Sequence, residues 1–329
     1  MMIFKNTWVV NRPEGWRMTN LVVIDLGSNS VRMQISEIDA YGGYTIKGYY
    51  REYVRLSENM GKEKTLKDEP MRRTIQALKS FKARYSQFDH VVIKAVATAA
   101  VRQAKNQAEF LKKVKDETEI ELNVISGNME AYLDYLGVVN TLPVRNGIIM
   151  DCGGASTELI WLQNGECKQR ISIPIGAVVL SQGFNLGDTI KASDLYRAMN
   201  AAGQKISTVR WLGEVHNLPL IALGGSNRTI AKIHRRELMQ DLDDIPDVHG
   251  MHLSPKYVFD LIAKLISLNK EERTKIPGLA KNRADVIIGG LITISLVLRN
   301  LQISEVIFSN CGLRDGILYD YLQKNHLNN

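Results

Sequence analysis

Cysteine is scarce in this chain. Cys152, Cys167 and Cys311 are the only three among 329 residues, and no two form a C-x-x-C pair. That argues against a disulfide framework or a zinc site and fits a reducing cytoplasm. Long apolar runs are missing too. Val286 to Leu298 is the most apolar long segment, and it is broken by Gly289, Gly290, Thr293 and Ser295. It falls short of the roughly 20 residues that span a bilayer, so it reads as a buried helix. Met1 to Asn20 holds only short apolar pieces interrupted by Lys5, Arg12, Pro13 and Glu14, which is no secretory signal. The six histidines form no ligand set; His249 and His252 fall in an expected loop. Acids are outnumbered, 35 against 42 Lys and Arg, for a net charge of +7. A polyanionic partner would suit that surplus, and so would plain solubility.

What is present suffices for two cores. The apolar share is 45%, and 329 residues divide comfortably into two domains. Ile148 to Ile160 reads IIMDCGGASTELI: an apolar run, an aspartate, glycines, a serine, then another apolar run. That pattern predicts strand, tight turn, strand, with φ > 0 at the glycines. Leu21 to Ile35, LVVIDLGSNSVRMQI, nearly repeats it. Asp25, Gly27 and Ser30 match Asp151, Gly153 and Ser156 in a D-x-G-x-x-S pattern. The chain therefore reads as two related halves. A carboxylate at the mouth of such a turn can hold a metal ion. The hydroxyls of Ser156 and Thr157 and the turn amides can hold phosphate oxygens.

Between the turns, strands and helices alternate, which indicates α/β layering. Strands are expected at Tyr44–Val54, His90–Ala97, Glu119–Ile125, Leu218–Leu223 and Glu305–Ser309. Helices are expected from Pro70, over Asn106–Glu117, Asn128–Val139, Ala192–Val209, Lys256–Leu268 and Asp285–Leu301, and at the C-terminus. Asn164-Gly165 signals a hairpin. Gly224 to Asn227 reads as a third glycine turn before a helix near Arg228, a ready anion site. Gln240–Ser254 reads as a surface loop.

Six motifs in this order, DLGSNS, VATAAVRQAKN, VISGNMEA, MDCGGASTEL, ALGGSNR and NCGLRDG, resemble those of exopolyphosphatases and guanosine pentaphosphate phosphohydrolases. The resemblance covers nearly the whole chain from about Asn20. It implies an α/β fold of two actin-like (ribonuclease H-like) domains with a cleft between them. The expected division is an N-terminal extension (1–19), a first domain (20–126 plus 306–329) and a second (127–305), the short two-domain form. It also implies Mg²⁺-dependent removal of the terminal phosphate from inorganic polyphosphate or guanosine pentaphosphate. No membrane or specific nucleic acid is implied as a partner; a homodimer is common for such folds. Two positions depart from the usual pattern: Met129 stands where an acid is frequent, and Ala155 replaces a glycine.

The chemistry needs a held phosphoryl group, neutralised charge and an aligned water. Glu130 resembles the family's catalytic glutamate and would act as general base, with Arg102 offering a planar fork to a phosphate. Gly27, Ser28, Asn29, Ser30, Gly153, Gly154, Ala155, Ser156, Thr157, Gly225 and Ser226 are the phosphate-binding candidates. Asp25, Asp151 and Glu158 are the metal candidates. Plainer roles exist for several. Glu130 fits the first turn of a helix on dipole grounds alone, Asp25 and Asp151 suit turn caps, Ser226 suits a helix cap, Glu158 an outward strand position, and Arg102 can simply bridge carboxylates. Related alternatives are a non-catalytic polyphosphate or alarmone binder and a sugar-kinase-like phosphotransferase.

Overall fold

The computed structural model describes residues 18–61, 63–238 and 246–326. The expected N-terminal extension lies outside them except for Met18 and Thr19. In the first half, β1 (Thr19–Leu26), β2 (Val31–Ile38) and β3 (Tyr44–Glu52) form an antiparallel meander. Next come α1 (Asp68–Tyr85), β4 (Val91–Ala97), α2 (Ala99–Arg102), α3 (Gln107–Thr118) and β5 (Asn123–Val124). The sheet order is β3-β2-β1-β4-β5, with β4 and β5 parallel to β1.

The second half begins with α4 (Gly127–Val139) and the meander β6 (Gly147–Cys152), β7 (Thr157–Gln163) and β8 (Glu166–Ile173). It continues through α5 (Ala177–Gly183), α6 (Ala192–Ser207), β9 (Leu220–Leu223), α7 (Gly224–Leu238), β10 (His252–Leu253), α8 (Pro255–Ser267), α9 (Lys270–Thr274), α10 (Ile287–Asn300), β11 (Val306–Phe308) and α11 (Leu313–His326). Its sheet runs β10-β11-β9-β6-β7-β8. Apart from β10, this reverses to the same plan as the first: β8, β7, β6, β9 and β11 stand where β3, β2, β1, β4 and β5 stand. The duplication read from the two turns is thus a duplication of whole sheets, the α/β architecture expected of an actin-like fold.

Two helices join the halves. On α4, Leu133 and Leu136 pack with Leu21 and Val23 of the first sheet, and Ala131 and Val138 with Ile149 and Ile160 of the second. Leu313, Ile317 and Leu318 of α11 join the first of these clusters. Gly316 lets the two helices touch through backbone, since a Cβ there would strike the Leu133 carbonyl.

Several expectations shift. The strand at 306–308, assigned above to the first domain, pairs in parallel with β9 and belongs to the second sheet; only α11 returns to the first. Glu119–Ile125 shrinks to a two-residue strand, because Ile120 and Leu122 turn into the core instead. Gly224–Asn227 is not a loop: it is the first turn of α7 itself. Part of the expected loop at Gln240–Ser254 lies outside the described residues. The rest is not a simple surface loop: Val248, Met251 and Leu253 are buried, and β10 extends the sheet. The hairpin at Asn164-Gly165 forms as expected, with φ of 56° and 88°. The buried apolar segment is α10, and among the described residues no helix is long and apolar enough to cross a membrane.

Candidate active site

The two turns meet. A Cβ on Gly154 would stand 2.9 Å from the Ser28 Cβ and 3.3 Å from Val178, so the halves touch where their glycine turns face each other. Beside them, Arg55 reaches across to Asp285 at 3.1 Å. The turns close identically: Gly27 N–H donates to the Ser30 carbonyl and Gly153 N–H to the Ser156 carbonyl, both at 3.0 Å. Those two amides are therefore spent on the turns, contrary to the expectation that they hold phosphate. The inner amides of Ser28, Asn29, Gly154 and Ala155 have no partner among the described residues and remain as donors.

The glycines do not serve through φ > 0 either. None of Gly27, Gly153 and Gly154 has a positive φ; Gly154 is required by close approach, and Ala155 fits because its position needs no left-handed backbone. The glycine that does need it is Gly224, with φ of 88° and the Asp151 carboxylate 2.5 Å from where a Cβ would sit.

Across each sheet the register builds a row of facing side chains. In the first half Asp25, Arg32 and Arg51 stand opposite one another on β1, β2 and β3. In the second, Asp151, Glu158 and Ser172 occupy the equivalent places on β6, β7 and β8. One lobe thus presents a basic row and the other an acidic one. Asp25 Oδ2 accepts from Arg314 Nη1 at 3.4 Å and lies 3.9 Å from Arg32 Nη1. Glu158 accepts from the Ser172 hydroxyl at 2.7 Å.

Asp25, Gly27 to Ser30, Glu130, Asp151, Gly153, Gly154, Ser156, Gly225 and Ser226 all line one cleft. Four arginines line it too, Arg32, Arg228, Arg283 and Arg314, and the sequence reading passed over all four. Burial, and then repulsion from Arg314 and Arg228, pull Arg32 well below its usual range. Burial likewise lowers Arg228 to about 10, against the opposing attraction of Asp151. A guanidinium does not shed its proton inside a protein. An anion in the cleft would relieve the repulsion among these gathered charges. Arg228 and Arg314 also lie early in α7 and α11, where a helix dipole disfavours cations and favours anions.

Four candidates sit elsewhere. Ala155, Thr157 and Glu158 do not line the cleft; the Thr157 hydroxyl donates to the Ile175 carbonyl at 2.7 Å. Arg102 borders a second opening, which shares Ser156 with the main cleft. Its Nη1 donates to Glu130 Oε2 at 3.0 Å and to the Ile125 carbonyl at 2.8 Å, so it pairs with one carboxylate and one backbone carbonyl.

Glu130 occupies the first turn of α4, above the Ser126 cap, whose hydroxyl accepts from Met129 N–H at 3.1 Å. Burial raises its carboxyl to about 7; Arg102 opposes the shift, and Asp151 and Asp25 add to it. Asp151 is also pushed up, by burial first. One turn beyond Glu130 lies Asp134, another acid the sequence reading missed. It is 1% exposed, neither oxygen has a partner among the described residues, and burial drives it well above the carboxylate range. Cys152 is pushed up to about 12 by burial, which leaves it a packing group.

Among the described residues no three acids, histidines or cysteines converge as a metal-binding group. Of the three expected metal carboxylates, Glu158 accepts from the Ser172 hydroxyl and does not line the cleft, while Asp25 and Asp151 line it together with Glu130 and Asp315.

Residues 35–325 match the Ppx/GppA phosphatase family. The chain belongs to this family. Over 307 residues it is 32% identical to a bifunctional 3-dehydroquinate synthase/phosphatase of Fusobacterium nucleatum, covering 90% of this chain and 46% of that protein. It is 28% identical to a guanosine-5'-triphosphate,3'-diphosphate pyrophosphatase of Pseudoalteromonas translucida, covering 92% of this chain and 59% of that one. The chain thus spans about half the length of these curated relatives. The crystal structure of the Aquifex aeolicus Ppx/GppA member superposes with a TM-score of 0.76 at 28% identity, covering 94% of this chain and all of that one. An exopolyphosphatase from Cytophaga hutchinsonii shares the fold, with a TM-score of 0.85 at 24% identity over 93% of this chain and 98% of its own.

Proposed function

We propose that this Ppx/GppA chain is a phosphoanhydride hydrolase that removes the terminal phosphate from a polyphosphate tail, with Glu130 as general base. The observation that carries this reading is the meeting of the two glycine turns beside a buried carboxylate whose ionisation is placed near neutrality. A base titrating near the working pH takes a proton most effectively.

In this reading the inner amides of both turns hold the terminal phosphoryl group, with the hydroxyls of Ser28 and Ser156 beside them. Arg228, Arg283, Arg32 and Arg314 take the following phosphates. Glu130 orients a water against phosphorus and accepts its proton as the P–O bond to the leaving phosphate breaks. Arg102 holds the Glu130 carboxylate in place. The donor set fits Mg²⁺: two buried carboxylates, Asp25 and Asp151, suit a hard cation that keeps several waters and takes its other oxygens from phosphates. Bound there, Mg²⁺ would neutralise charge on the phosphate oxygens. Burial disfavours the charged form of Asp151, which is what a nearby cation reverses. Three free cysteines support a cytoplasmic location.

The test is phosphate release from tripolyphosphate with Mg²⁺. Glu130→Gln is expected to lower the rate about 100-fold to 10,000-fold while substrate still binds. Equal rates in the variant and wild type would remove Glu130 from its role.

A further inference from the structure

Arg55 touches both lobes without lining the cleft between them. Its backbone has a φ of 48°, a left-handed conformation that a residue with a side chain seldom adopts. Such a conformation persists where the surrounding contacts over-determine it. Here Arg55 N–H donates to the Asn29 carbonyl at 3.0 Å. Two residues on, the N–H and hydroxyl of Ser57 both donate to the Ser28 carbonyl, at 3.0 and 3.2 Å. A trans peptide points its N–H opposite to its C=O. With the Ser28 carbonyl drawn toward Ser57, the N–H of Asn29 is turned away from it and kept as a donor for a ligand. The segment around Arg55 therefore aims the first phosphate turn.

The side chain reaches into the second lobe. Arg55 Nη1 donates to Asp285 Oδ2 at 3.1 Å, and Nη2 to the Asn282 carbonyl at 3.3 Å. Arg283 stands between those two partners, at the end of the 3₁₀ turn Lys281–Arg283, and lines the cleft. Its guanidinium lies against Gly225, where a Cβ would collide with it. From within the second lobe, Arg273 Nη1 donates to the Ala284 carbonyl at 2.6 Å. The segment that carries Arg283 is thus fastened by its own lobe through Arg273 and by the opposite lobe through Arg55. Glu58 competes weakly for Arg55: it lies 3.9 Å away and accepts from Arg73 Nη2 at 2.6 Å. The second oxygen of Asp285, Oδ1, is buried with no hydrogen-bond partner among the described residues. The Arg55 and Asp285 side chains are 34% and 21% exposed, and ion pairs so open to solvent add little to stability. What this pair supplies is placement.

We propose that Arg55 is a positioning residue that holds the phosphate turn of the first lobe in register with Arg283 of the second, and so fixes the spacing at which the cleft takes successive phosphates of one chain. The proposal rests on the phosphohydrolase reading above for what each end holds: the terminal phosphate at the turn, a following phosphate at Arg283. Arg55 itself touches no phosphate and acts through Arg283.

The experiment is a double-mutant cycle on phosphate release from tripolyphosphate with Mg²⁺. Arg55→Gln keeps the backbone bonds and removes the charge that crosses the lobes; Asp285→Ala breaks the same link from the other side. Each is expected to raise KM about tenfold and to change kcat less than about threefold. Arg55→Lys, which keeps a cation for Asp285, should recover most of the loss. Arg283→Gln raises KM by itself. Adding Arg55→Gln to it should change KM less than about twofold, because the residue through which Arg55 acts is already gone. The melting temperature of Arg55→Gln should stay within about 2 °C of wild type. Additive losses in the double variant, an unchanged KM in Arg55→Gln, or a loss that follows a lowered melting temperature would overturn the proposal. Should wild type release no phosphate from tripolyphosphate, the hydrolase reading fails by itself. Calorimetric binding of tripolyphosphate by the same variants then decides the register: non-additive losses support it, and additive losses, or no binding by wild type, overturn it.

Discussion

The Arg102–Glu130 pair gives the sharpest prediction, because with Glu130 as the proposed base it would set the pH at which phosphate release begins. A general base works only when deprotonated. Burial lifts Glu130 to about 7 even though Arg102 pulls it down. The acidic limb of kcat/KM, which reports the free enzyme, should therefore fall through an apparent pKa near 7. Replacing Arg102 with Gln removes the opposing charge 3.0 Å away. A neighbouring arginine typically lowers a carboxyl by about 1 to 3 units. The side chains are 22% and 12% exposed, so solvent screening favours the lower part of that range. The limb in Arg102→Gln should move up by about one to two units. The assay is the initial rate of phosphate release between pH 5 and pH 10, on tripolyphosphate with Mg²⁺. A lower plateau alone, with the limb unmoved, would mean that Arg102 acts on substrate and does not tune Glu130. A wild-type limb in the ordinary carboxylate range would refute Glu130 as the base.

Other variants probe the frame. Gly154→Val inserts side-chain atoms where a Cβ already stands 2.9 Å from Ser28; activity should fall roughly 100-fold through misplaced turns, read by rate assays beside circular dichroism. Gly224→Ala forces a left-handed backbone and crowds Asp151, and should cost about 1 kcal/mol or more in denaturant melts. Arg228→Ala should raise KM for tripolyphosphate about tenfold or more, and the deficit should shrink as salt screens the remaining charges. Asp134→Leu removes an unpartnered buried acid and should stabilise the fold by about 1–3 kcal/mol. The sign follows from its raised ionisation: wild type loses stability as pH rises through the folded-state value, so the advantage of Asp134→Leu should grow with pH in thermal melts.

Much of this arrangement was readable from the residues. The paired turns announced themselves because apolar strands, buried almost throughout, flank them, and D-x-G-x-x-S repeats at both sites. Glu130 stood out through its motif, and the cleft receives it. The arginines were harder to find. Arg32 follows DLGSNS by two residues, Arg228 ends ALGGSNR and Arg314 lies within NCGLRDG, yet a single arginine after a glycine motif looks like surface charge. Only the strand register and the helix starts bring these three together. Asp134 was hidden in an otherwise apolar helix, where an acid four residues after Glu130 is easily taken for a solvated position; burial between two sheets is a tertiary fact. Short elements such as α2 and α5 carry too few residues for a period to show. The strand at 306–308 was misassigned because pairing in parallel with β9 leaves no local hairpin signal.

The central claim is that both turns grip one terminal phosphate with Glu130 at its back. The most direct measurement is a crystal structure with imidotriphosphate, whose P–N–P links resist hydrolysis, and Mg²⁺. The account predicts the terminal phosphorus between the inner amides of Ser28 and Gly154, with the chain leading toward Arg228. A chain lying along another surface, or a terminal group out of reach of the Glu130 carboxylate, would contradict it.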